Sequence, residues 1–463
     1  MVEVKGVRLD IMKSKSKVWI LFFIFILTMG ILKFSKFQTV LAVEGDTAIC
    51  QRTNDVLTND KNKSINISYV ENQYERIGQK YYESDRVVQA AKIIMGFLVP
   101  AVILFTGFSA KLSNFSNSIG KNMFLSVGIY GIIYNLIDSL ANLPLAYYGG
   151  YIQSHIFGLS HQAFSSWIRD YFINFLLNTG AIFVLLWIPY RFIKRHPKRW
   201  WIYTGITIIP ITIFMYIAQP VIIDPLFNKF KPIENKKIER SLVQLTEKAN
   251  IKECTVLQID KSKDTSMINA YMTGIGKSKR IILWDTAIKK LNLRELRFVM
   301  AHEIGHYVLG HIKKSIFLEI IGIFIVLYII SKVAPILIKK YKRRFKFRRF
   351  SNTASYPLAI IIINLCLLFM IPLANAYSCY MERQADTFAI EITKDNEAAV
   401  SAFDKLSKHG IVIPDPDPLY KMWKYDHPPI KERIEFLKIY KPWEEGKSLK
   451  FISYFLSEAK MDK

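Results

Sequence analysis

Long apolar stretches, separated by polar segments, dominate the pattern of the chain. A helix needs roughly 20 apolar residues to cross a bilayer, because hydrocarbon offers no partner to backbone polar groups. The pattern predicts seven spanning helices, at Val18–Phe34, Val87–Phe108, Met123–Tyr147, Phe172–Tyr190, Trp201–Val221, Ile316–Ile338 and Pro357–Ala374. We interpret the first as an anchor rather than a signal peptide, because its apolar core is long and no clear cleavage pattern follows it.

Residues 224–314 lie between the fifth and sixth spans and mix helical and strand patterns. Apolar periodicity and β-branched content predict helices and strands there, at Ile233–Ala249, Thr255–Ile259, Arg280–Trp284 and Leu293–Leu309. Between the two strands, Asn269 begins an extended piece that ends in a glycine turn. This interval is therefore predicted to form a small soluble α+β subdomain.

The spans and the subdomain divide the chain into five parts. Residues 1–86 hold the first span and a polar loop, 87–223 hold spans two to five, 224–314 form the subdomain, 315–374 hold the last two spans and 375–463 form a C-terminal segment. Helical periodicity continues from Asn375 to Thr393, so we expect the seventh spanning helix to leave the membrane without a break. The fold class predicted is mainly α-helical and integral to the membrane.

Composition and charge agree with a membrane protein. The chain is 51% hydrophobic yet carries a net charge of +25, and a bilayer keeps two such properties apart in space. The basic residues concentrate beside the spans, in residues 191–199 and 339–349. We interpret these loops as contacts with lipid headgroups and expect no nucleic-acid partner, because basic loops beside spans are typical of membrane proteins. The four cysteines form no CxxC pair and indicate no disulfide framework.

The sequence His302-Glu303-Ile-Gly-His306 is an HExxH motif within a predicted helix. Residues four positions apart lie on one face of a helix, about 6 Å apart, so the two imidazoles can share one metal ion. Glu303 is then directed beside the metal, where it can take a proton from the attacking water. Such a short motif also occurs by chance, but this copy lies on an amphipathic helix without proline. We predict a catalytic Zn²⁺ site, one ion per chain, with Glu303 as general base.

A hydrolytic zinc site usually has three protein ligands, so a third ligand must come from elsewhere in the chain. Glu382 and Asp386 are the best candidates, because they lie one turn apart on the helix that leaves the last span. Glu382 is predicted to bind the metal, and Asp386 to accept a hydrogen bond that orients a liganding imidazole. Such an acidic pair is usually a solvated helix face, and its combination with HExxH favours the metal site.

Six segments of the chain occur in the order found in one family. They are His155-Ile-Phe-Gly-Leu-Ser-His-Gln, Pro225-Leu-Phe-Asn-Lys-Phe, Asn269-Ala-Tyr-Met-Thr-Gly-Ile-Gly-Lys, the HExxH helix, Glu382-Arg-Gln-Ala-Asp-Thr-Phe-Ala and His427-Pro-Pro-Ile-Lys-Glu-Arg433. Through them the chain, from about Tyr69 to Phe436, resembles the type I CAAX prenyl proteases, multi-span zinc peptidases that act on prenylated protein C-termini. The set is far more specific than HExxH alone.

The resemblance implies seven spanning helices around an intramembrane chamber, capped by a gluzincin-like zinc subdomain. It implies the same zinc ligands and the same base as the motifs do. His427 and Arg433 would stabilise the oxyanion or hold the substrate, and Asn269 would lie on an edge strand that pairs with the substrate backbone. The expected partners are the lipid bilayer and a peptide or protein substrate, which is prenylated in the family's activity.

Two other functions are open at this point. A membrane quality-control protease would use the same site without a prenyl group on its substrate. A transporter or channel would combine the histidines with Asp138 and Glu319 in an ion path. Three ligands together with a base are what hydrolysis needs, so we favour the peptidase.

The side of the membrane on which the site lies is also open. Seven spans with the two basic loops in the cytoplasm put the HExxH subdomain outside the cell. The resemblance implies instead a site that faces the cytosol. The charge pattern and the resemblance therefore give opposite expectations.

Overall fold

The structure, a computed structural model, describes residues 67–274, 279–411 and 416–455, with side chains from residue 76 onward. The described residues divide into two compact units: the first comprises residues 67–77 with 156–158, and the second comprises the other described residues. The second unit contains every site described below. The described residues are mostly helical, with one small sheet.

Six helical segments in these residues are long and apolar enough to cross a membrane. They are Arg76–Phe105, Met123–Ile156, Phe164–Arg195, Trp200–Phe227, His311–Phe345 and Thr353–Thr393. Each coincides with one of the predicted spans from the second to the seventh, which are thereby confirmed. The predicted first span, Val18–Phe34, lies outside the described residues.

The helices run further than the apolar stretches that predict them, because polar residues at the ends of the spans stay helical. They are α1 (Ile67–Phe105), α2 (Phe108–Ile119), α3 (Met123–Tyr147), α4 (Phe164–Leu185), α5 (Trp187–Arg195), α6 (Trp200–Ala218), α7 (Lys236–Lys248), α8 (Asp285–Lys290), α9 (Leu293–Val308), α10 (His311–Phe345), α11 (Tyr356–Thr393), α12 (Asn396–Gly410), α13 (Pro418–Lys424) and α14 (Ile430–Ile439). Short helical turns at Tyr148–Ile152, Gln153–Ile156, Gln219–Ile223 and Asp224–Phe227 extend α3 and α6.

The outer surface of the spanning helices is apolar. Helix α4 has no buried residue, and its Phe172 and Leu176 are each more than half exposed. One pair of polar groups joins two helices: Asn135 on α3 donates a hydrogen bond to Thr179 Oγ1 on α4, 2.9 Å away. This distribution is what a lipid solvent requires, since it offers apolar surface to hydrocarbon and satisfies polar groups internally.

Four strands form the sheet of the subdomain, in the order β1-β2-β4-β3. Their bounds are Phe230–Pro232 for β1, Thr255–Ile259 for β2, Ala270–Thr273 for β3 and Arg280–Trp284 for β4. Strands β2 and β4 are parallel, and the other two pairs are antiparallel. The predicted β2 and β4 are confirmed residue for residue, and the extended piece after Asn269 is β3, an edge strand. The sequence pattern does not predict β1, which has only three residues.

Helix α9 packs in the core of the subdomain, where Leu296, Phe298, Met300 and Ile304 are fully buried. Its first turn is fixed by a capping box, because Asn292 accepts from the backbone of Glu295 and Glu295 accepts from the backbone of Asn292. The box satisfies two amide groups that a helix start leaves unpaired. The predicted helix is confirmed, and its bounds are held by local chemistry as well as by burial.

Candidate active site

Helices α9 and α11 approach each other closely at the HExxH motif. A Cβ atom at Gly305 would lie 3.1 Å from a ring carbon of Phe388 and 3.3 Å from the Cα atom of Ala385. Only a residue without a side chain leaves α11 at this distance. The glycine in the motif therefore lets α11 present Glu382 to the two histidines of α9.

Three side chains converge at this contact. His302 Nε2 lies 3.0 Å from His306 Nε2 and 3.2 Å from Glu382 Oε2, and His306 Nε2 lies 3.1 Å from Glu382 Oε1. Ligand atoms arranged tetrahedrally at 2.0–2.1 Å from a zinc ion would be about 3.3 Å apart. The spacing of the three donors is close to that value.

The donor set also fits a cation by its chemistry. Glu382 is 4% exposed, and its Oε2 atom is buried without a hydrogen-bond partner in the described residues. The nearest charged groups are the His302 ring, 3.2 Å from this oxygen, and the Arg433 guanidinium, 3.3 Å from it, and neither contact has the geometry of a hydrogen bond. Two imidazole nitrogens and a carboxylate are ordinary zinc ligands, so the predicted set of His302, His306 and Glu382 forms a candidate metal site.

Asp386 links this site to the C-terminal segment. Its Oδ1 atom lies 2.9 Å from His302 Nδ1, as the sequence predicts for an orienting carboxylate. Arg433 on α14 donates to both oxygens of Asp386, at 2.8 Å and 2.7 Å, and lies 3.3 Å from Glu382 Oε2. The guanidinium group also packs over the ring of Phe403, 4.3 Å from its centroid. These contacts favour a positioning role for Arg433 over the direct substrate contact that the resemblance implies.

His306 has an outer partner that sequence reasoning missed. His311 is 2% exposed, and its Nδ1 atom lies 3.0 Å from His306 Nδ1. Its other nitrogen, Nε2, lies 3.1 Å from Gln384 Oε1, which can only accept. His311 Nε2 therefore carries the proton, and its bare Nδ1 accepts from His306. This series of hydrogen bonds leaves Nε2 of His306 without a proton. An imidazole nitrogen without a proton is the form that binds a metal.

A left-handed residue makes the contact between the two histidines possible. Gly310 has φ +68° between the end of α9 and the start of α10. Helix α10 begins at the next residue, His311, whose ring lies 4.9 Å from that of His306 in the last turn of α9. A sequence signal was present, since glycine commonly ends helices in this conformation.

His427 and Asn269 are the remaining residues that the sequence assigns to the site. His427 Nε2 is 3.4 Å from Glu382 Oε1, and its Nδ1 is 2.7 Å from Asp426 Oδ1. About half of the His427 side chain is exposed, so it can reach a substrate. Asn269 is exposed directly before β3, and its carbonyl oxygen accepts from the backbone of Trp284. The structure thus brings His427 to the metal site and Asn269 to the edge of the sheet.

The environment changes the acid–base properties of the motif. Burial raises the pKa of the Glu303 carboxyl above its ordinary value. Burial lowers the pKa of His302, but hydrogen bonds from the ring to Asp386 and Glu382 outweigh it and raise the pKa to about 10. A raised pKa favours the uptake of a proton by the Glu303 carboxyl, and the hydrogen bond to Asp386 orients the His302 ring.

A multi-pass membrane metalloprotease is the class of protein that this fold and this site define. A family model described as peptidase family M48 matches residues 232–441, and one described as the CAAX prenyl protease N-terminal region, with five membrane helices, matches residues 61–229. The chain belongs to peptidase family M48.

Relatives and a solved structure agree with this family. The uncharacterized metalloprotease YhfN of Bacillus subtilis is 35% identical over 338 residues, which cover 72% of this chain and 78% of that protein. The CAAX prenyl protease 1 homolog of Dictyostelium discoideum is 27% identical over 78% of this chain and 84% of its own length. The crystal structure of S. mikatae Ste24p has a similar fold, with a TM-score of 0.66 and 22% identity over 86% of this chain and 96% of that one.

Proposed function

We propose that the protein is a zinc endopeptidase that cleaves membrane-attached polypeptides near their C-termini, in the manner of CAAX processing. The convergence of His302, His306 and Glu382 beside Glu303 carries the proposal. These three residues would hold a single Zn²⁺ ion. When bound, zinc supplies a Lewis acid that polarises the scissile carbonyl and lowers the pKa of water.

The residues of the chain divide the work of peptide hydrolysis. Glu303 takes a proton from the attacking water, and the same carboxyl returns it to the leaving amine. His427, paired with Asp426, donates a hydrogen bond to the oxyanion that develops on the carbonyl. Asp386 and Arg433 hold His302 and Glu382 in position.

The edge strand β3 supports binding of an extended peptide. It lies at the end of the sheet order, so one side of its backbone is not paired within the sheet. A substrate can add there as a further antiparallel or parallel strand, with main-chain hydrogen bonds that hold the scissile bond beside the metal site. Asn269, at the start of this edge, would contact the same peptide.

The family supports the CAAX part of the proposal. Relatives from Dictyostelium and Saccharomyces cerevisiae carry the name CAAX prenyl protease 1 or its homolog, at 27% identity each. The spanning helices offer extensive apolar surface beside the site, which is the environment that a lipid-linked peptide needs. We therefore propose prenylated C-termini as the substrate class.

A matched pair of peptides, farnesylated and unmodified, tests the proposal with the purified full-length protein. The Glu303→Gln variant supplies the background rate. Preferential cleavage of the farnesylated peptide is expected. Equal cleavage of both peptides would replace CAAX processing with a general membrane quality-control protease, and cleavage of neither by zinc-loaded protein would refute both substrate classes.

A further inference from the structure

His427 lies in a short connection between helices α13 and α14. Pro428 and Pro429 follow it directly. Proline fixes its own φ near −65° and restricts the residue before it to extended backbone, so the connection has little freedom of its own. The far end of the connection is held by α14, where Arg433 donates to Asp386. The position of His427 therefore depends on what holds α13.

Helix α1 holds α13 from one side through two reciprocal pairs of tyrosine and aspartate. Tyr82 on α1 donates a hydrogen bond to Asp417, the residue directly before α13. Tyr420 on α13 donates in the opposite direction, to Oδ2 of Asp85 on α1, at 2.5 Å. The rings of Tyr82 and Tyr420 pack edge to face, with 4.9 Å between their centroids. In each segment the tyrosine and the aspartate are three residues apart, so helical spacing lets both pairs form at once.

The carboxylate of Asp85 makes this contact costly to break. Asp85 is 3% exposed, Gln89 donates to its Oδ1 at 3.0 Å, and Lys424 lies 3.5 Å from its Oδ2. A buried carboxylate costs free energy unless donors or cations surround it. Two of these three surrounding groups, Tyr420 and Lys424, come from α13. Helix α13 thus completes the environment of a charge that α1 carries.

Helix α11 holds α13 from the other side, at a break in its own hydrogen bonding. Pro372 lies inside α11 and has no N–H, so the carbonyl of Leu368 lacks the donor that a helix supplies four residues further on. The indole Nε1 of Trp423 on α13 donates to this carbonyl at 2.8 Å. Hydrocarbon around a spanning helix offers no donor in its place. Asn375 adds a hydrogen bond to the carbonyl of Met422 at 3.1 Å.

The contacts between α11 and the C-terminal segment continue to the candidate metal site. Cys379 Sγ lies 3.8 Å from the carbonyl oxygen of Tyr425, two residues before His427. His427 Nε2 then lies 3.4 Å from Oε1 of Glu382, which is three residues after Cys379 on α11. Helix α13 and the connection after it are therefore held against α11 up to the proposed metal ligand.

We propose that α13 bridges α1 and α11 in order to hold His427 beside the metal site, and that Tyr420 and Trp423 are its positioning residues. A donor stabilises an oxyanion only at hydrogen-bond distance, so a small shift of His427 lowers the rate and leaves the zinc ligands in place. The effect on the rate rests on the proposed function. The position of His427 does not, because it can be measured without a substrate.

Histidine labelling of the zinc-loaded, full-length protein tests the position of His427. The protein reacts with diethyl pyrocarbonate, and mass spectrometry follows the rate at each histidine. The variant Tyr420→Phe/Trp423→Phe removes the donors to α1 and α11. Tyr454→Phe is the matched control, because it removes the hydroxyl of an exposed tyrosine outside these contacts.

His427 should react about twofold faster in the double variant, because its side chain leaves Glu382 and is 51% exposed in the wild type. It should react at the wild-type rate in the control. The exposed His196, before α6, should react equally in all three proteins. An unchanged rate at His427 in the double variant would overturn the proposal, whether or not the protein cleaves any peptide.

Peptide cleavage tests the effect of this position on the proposed reaction. Loss of a donor to the oxyanion lowers kcat about 10²–10³-fold, and this is the expected effect of His427→Ala. Tyr420→Phe/Trp423→Phe should lower kcat by part of this amount, about tenfold, and leave KM and the zinc dissociation constant unchanged. In the His427→Ala background the same two substitutions should lower kcat no further, because they act through His427. A further loss there would overturn the positioning role. Absence of cleavage by the wild type would refute the proposed function, and the labelling rate would then decide the inference alone.

Pro372→Ala separates positioning from a contribution to stability alone. Alanine at this position supplies an N–H to the carbonyl of Leu368, so Trp423→Phe/Pro372→Ala should regain the unfolding midpoint that Trp423→Phe loses. The added N–H does not restore the contact between α11 and α13. The faster labelling of His427 and the lower kcat should therefore persist in this variant. Their return to wild-type values together with the midpoint would show that Trp423 serves only to satisfy a carbonyl, and would overturn its positioning role.

Discussion

His311 offers a sharp test of how the candidate metal site is held. In the His311→Leu variant, His306 loses the acceptor of its Nδ1 proton, and Gln384 Oε1 loses the donor 3.1 Å away. Both groups lie beside a residue that is only 2% exposed, so water replaces the lost partners poorly. The ring of His306 is then free to rotate or to carry its proton on the nitrogen that faces the metal.

Two independent estimates give the size of the effect. A buried polar group without its partner costs about 1–3 kcal/mol. Loss of an outer partner of a metal ligand lowers metal affinity about 10–100-fold, which corresponds to about 1.4–2.7 kcal/mol. We therefore expect the zinc dissociation constant of His311→Leu to rise by one to two orders of magnitude, about 10–100-fold.

Competition with a chromophoric chelator measures the zinc affinity directly, without any substrate. The matched variant His311→Asn keeps an acceptor near the position of Nδ1 and should recover much of the affinity. Far-ultraviolet circular dichroism and the unfolding midpoint verify that both variants are folded. Wild-type zinc affinity in His311→Leu, or no recovery of zinc affinity in His311→Asn, would refute the proposed series of hydrogen bonds from Gln384 through His311 to His306.

Three further predictions concern single carboxylates. Glu303→Gln should bind zinc as the wild type does and lower kcat by about 10²–10⁴, because the proton acceptor is lost and the ligands are kept; a metal analysis with a rate measurement checks both parts. Asp386→Asn should weaken zinc binding about 10–100-fold, since an amide nitrogen in place of Oδ2 cannot accept from Arg433 Nε and the negative charge beside the guanidinium is lost; unchanged affinity by chelator competition would argue against that role. Glu295 should make the free energy of unfolding depend on pH. Burial raises the pKa of Glu295, but hydrogen bonds from Lys405 and Ser401 outweigh burial and lower the pKa. Because the pKa of Glu295 is lower in the folded state, its stabilisation is present above the ordinary glutamate pKa and is lost as the pH falls. In Glu295→Gln, the unfolding midpoint should therefore depend less on pH between neutral and acid conditions.

Periodicity and composition predicted much of the fold, for physical reasons that particular elements make clear. The spanning helices each need a long apolar surface, and no other structure gives that signal. Strands β2 and β4 lie in the centre of the sheet, and β4 buries Ile281, Ile282 and Leu283 in succession. Strand β1 is an edge of three residues, Phe230–Pro232, and its pairing with β2 has no local signature.

The proposed metal ligands and Asp386 were predictable because their chemistry fixes their spacing, whereas Arg433 was predicted only through the family resemblance, and Phe403 and His311 were not predicted. His302 and His306 must lie one turn apart on a helix, and Glu382 and Asp386 follow the same rule. Arg433 and Phe403 lie far apart in sequence, and their packing depends on how α12 and α14 fold against α11. His311 was missed because its role depends on the left-handed residue Gly310 between α9 and α10.

Helix α11 is continuous from Tyr356 to Thr393, and it both crosses the membrane and supplies Glu382. Most of the core around α9 comes from one contiguous interval, yet the proposed third ligand, Glu382, lies on a helix that also spans the membrane. A fragment made of residues 224–314 would fold, at best, around a two-histidine site. The proposed three-ligand site therefore cannot be separated from the membrane-spanning part by truncation. A soluble version of the subdomain needs another segment in place of the C-terminal end of α11.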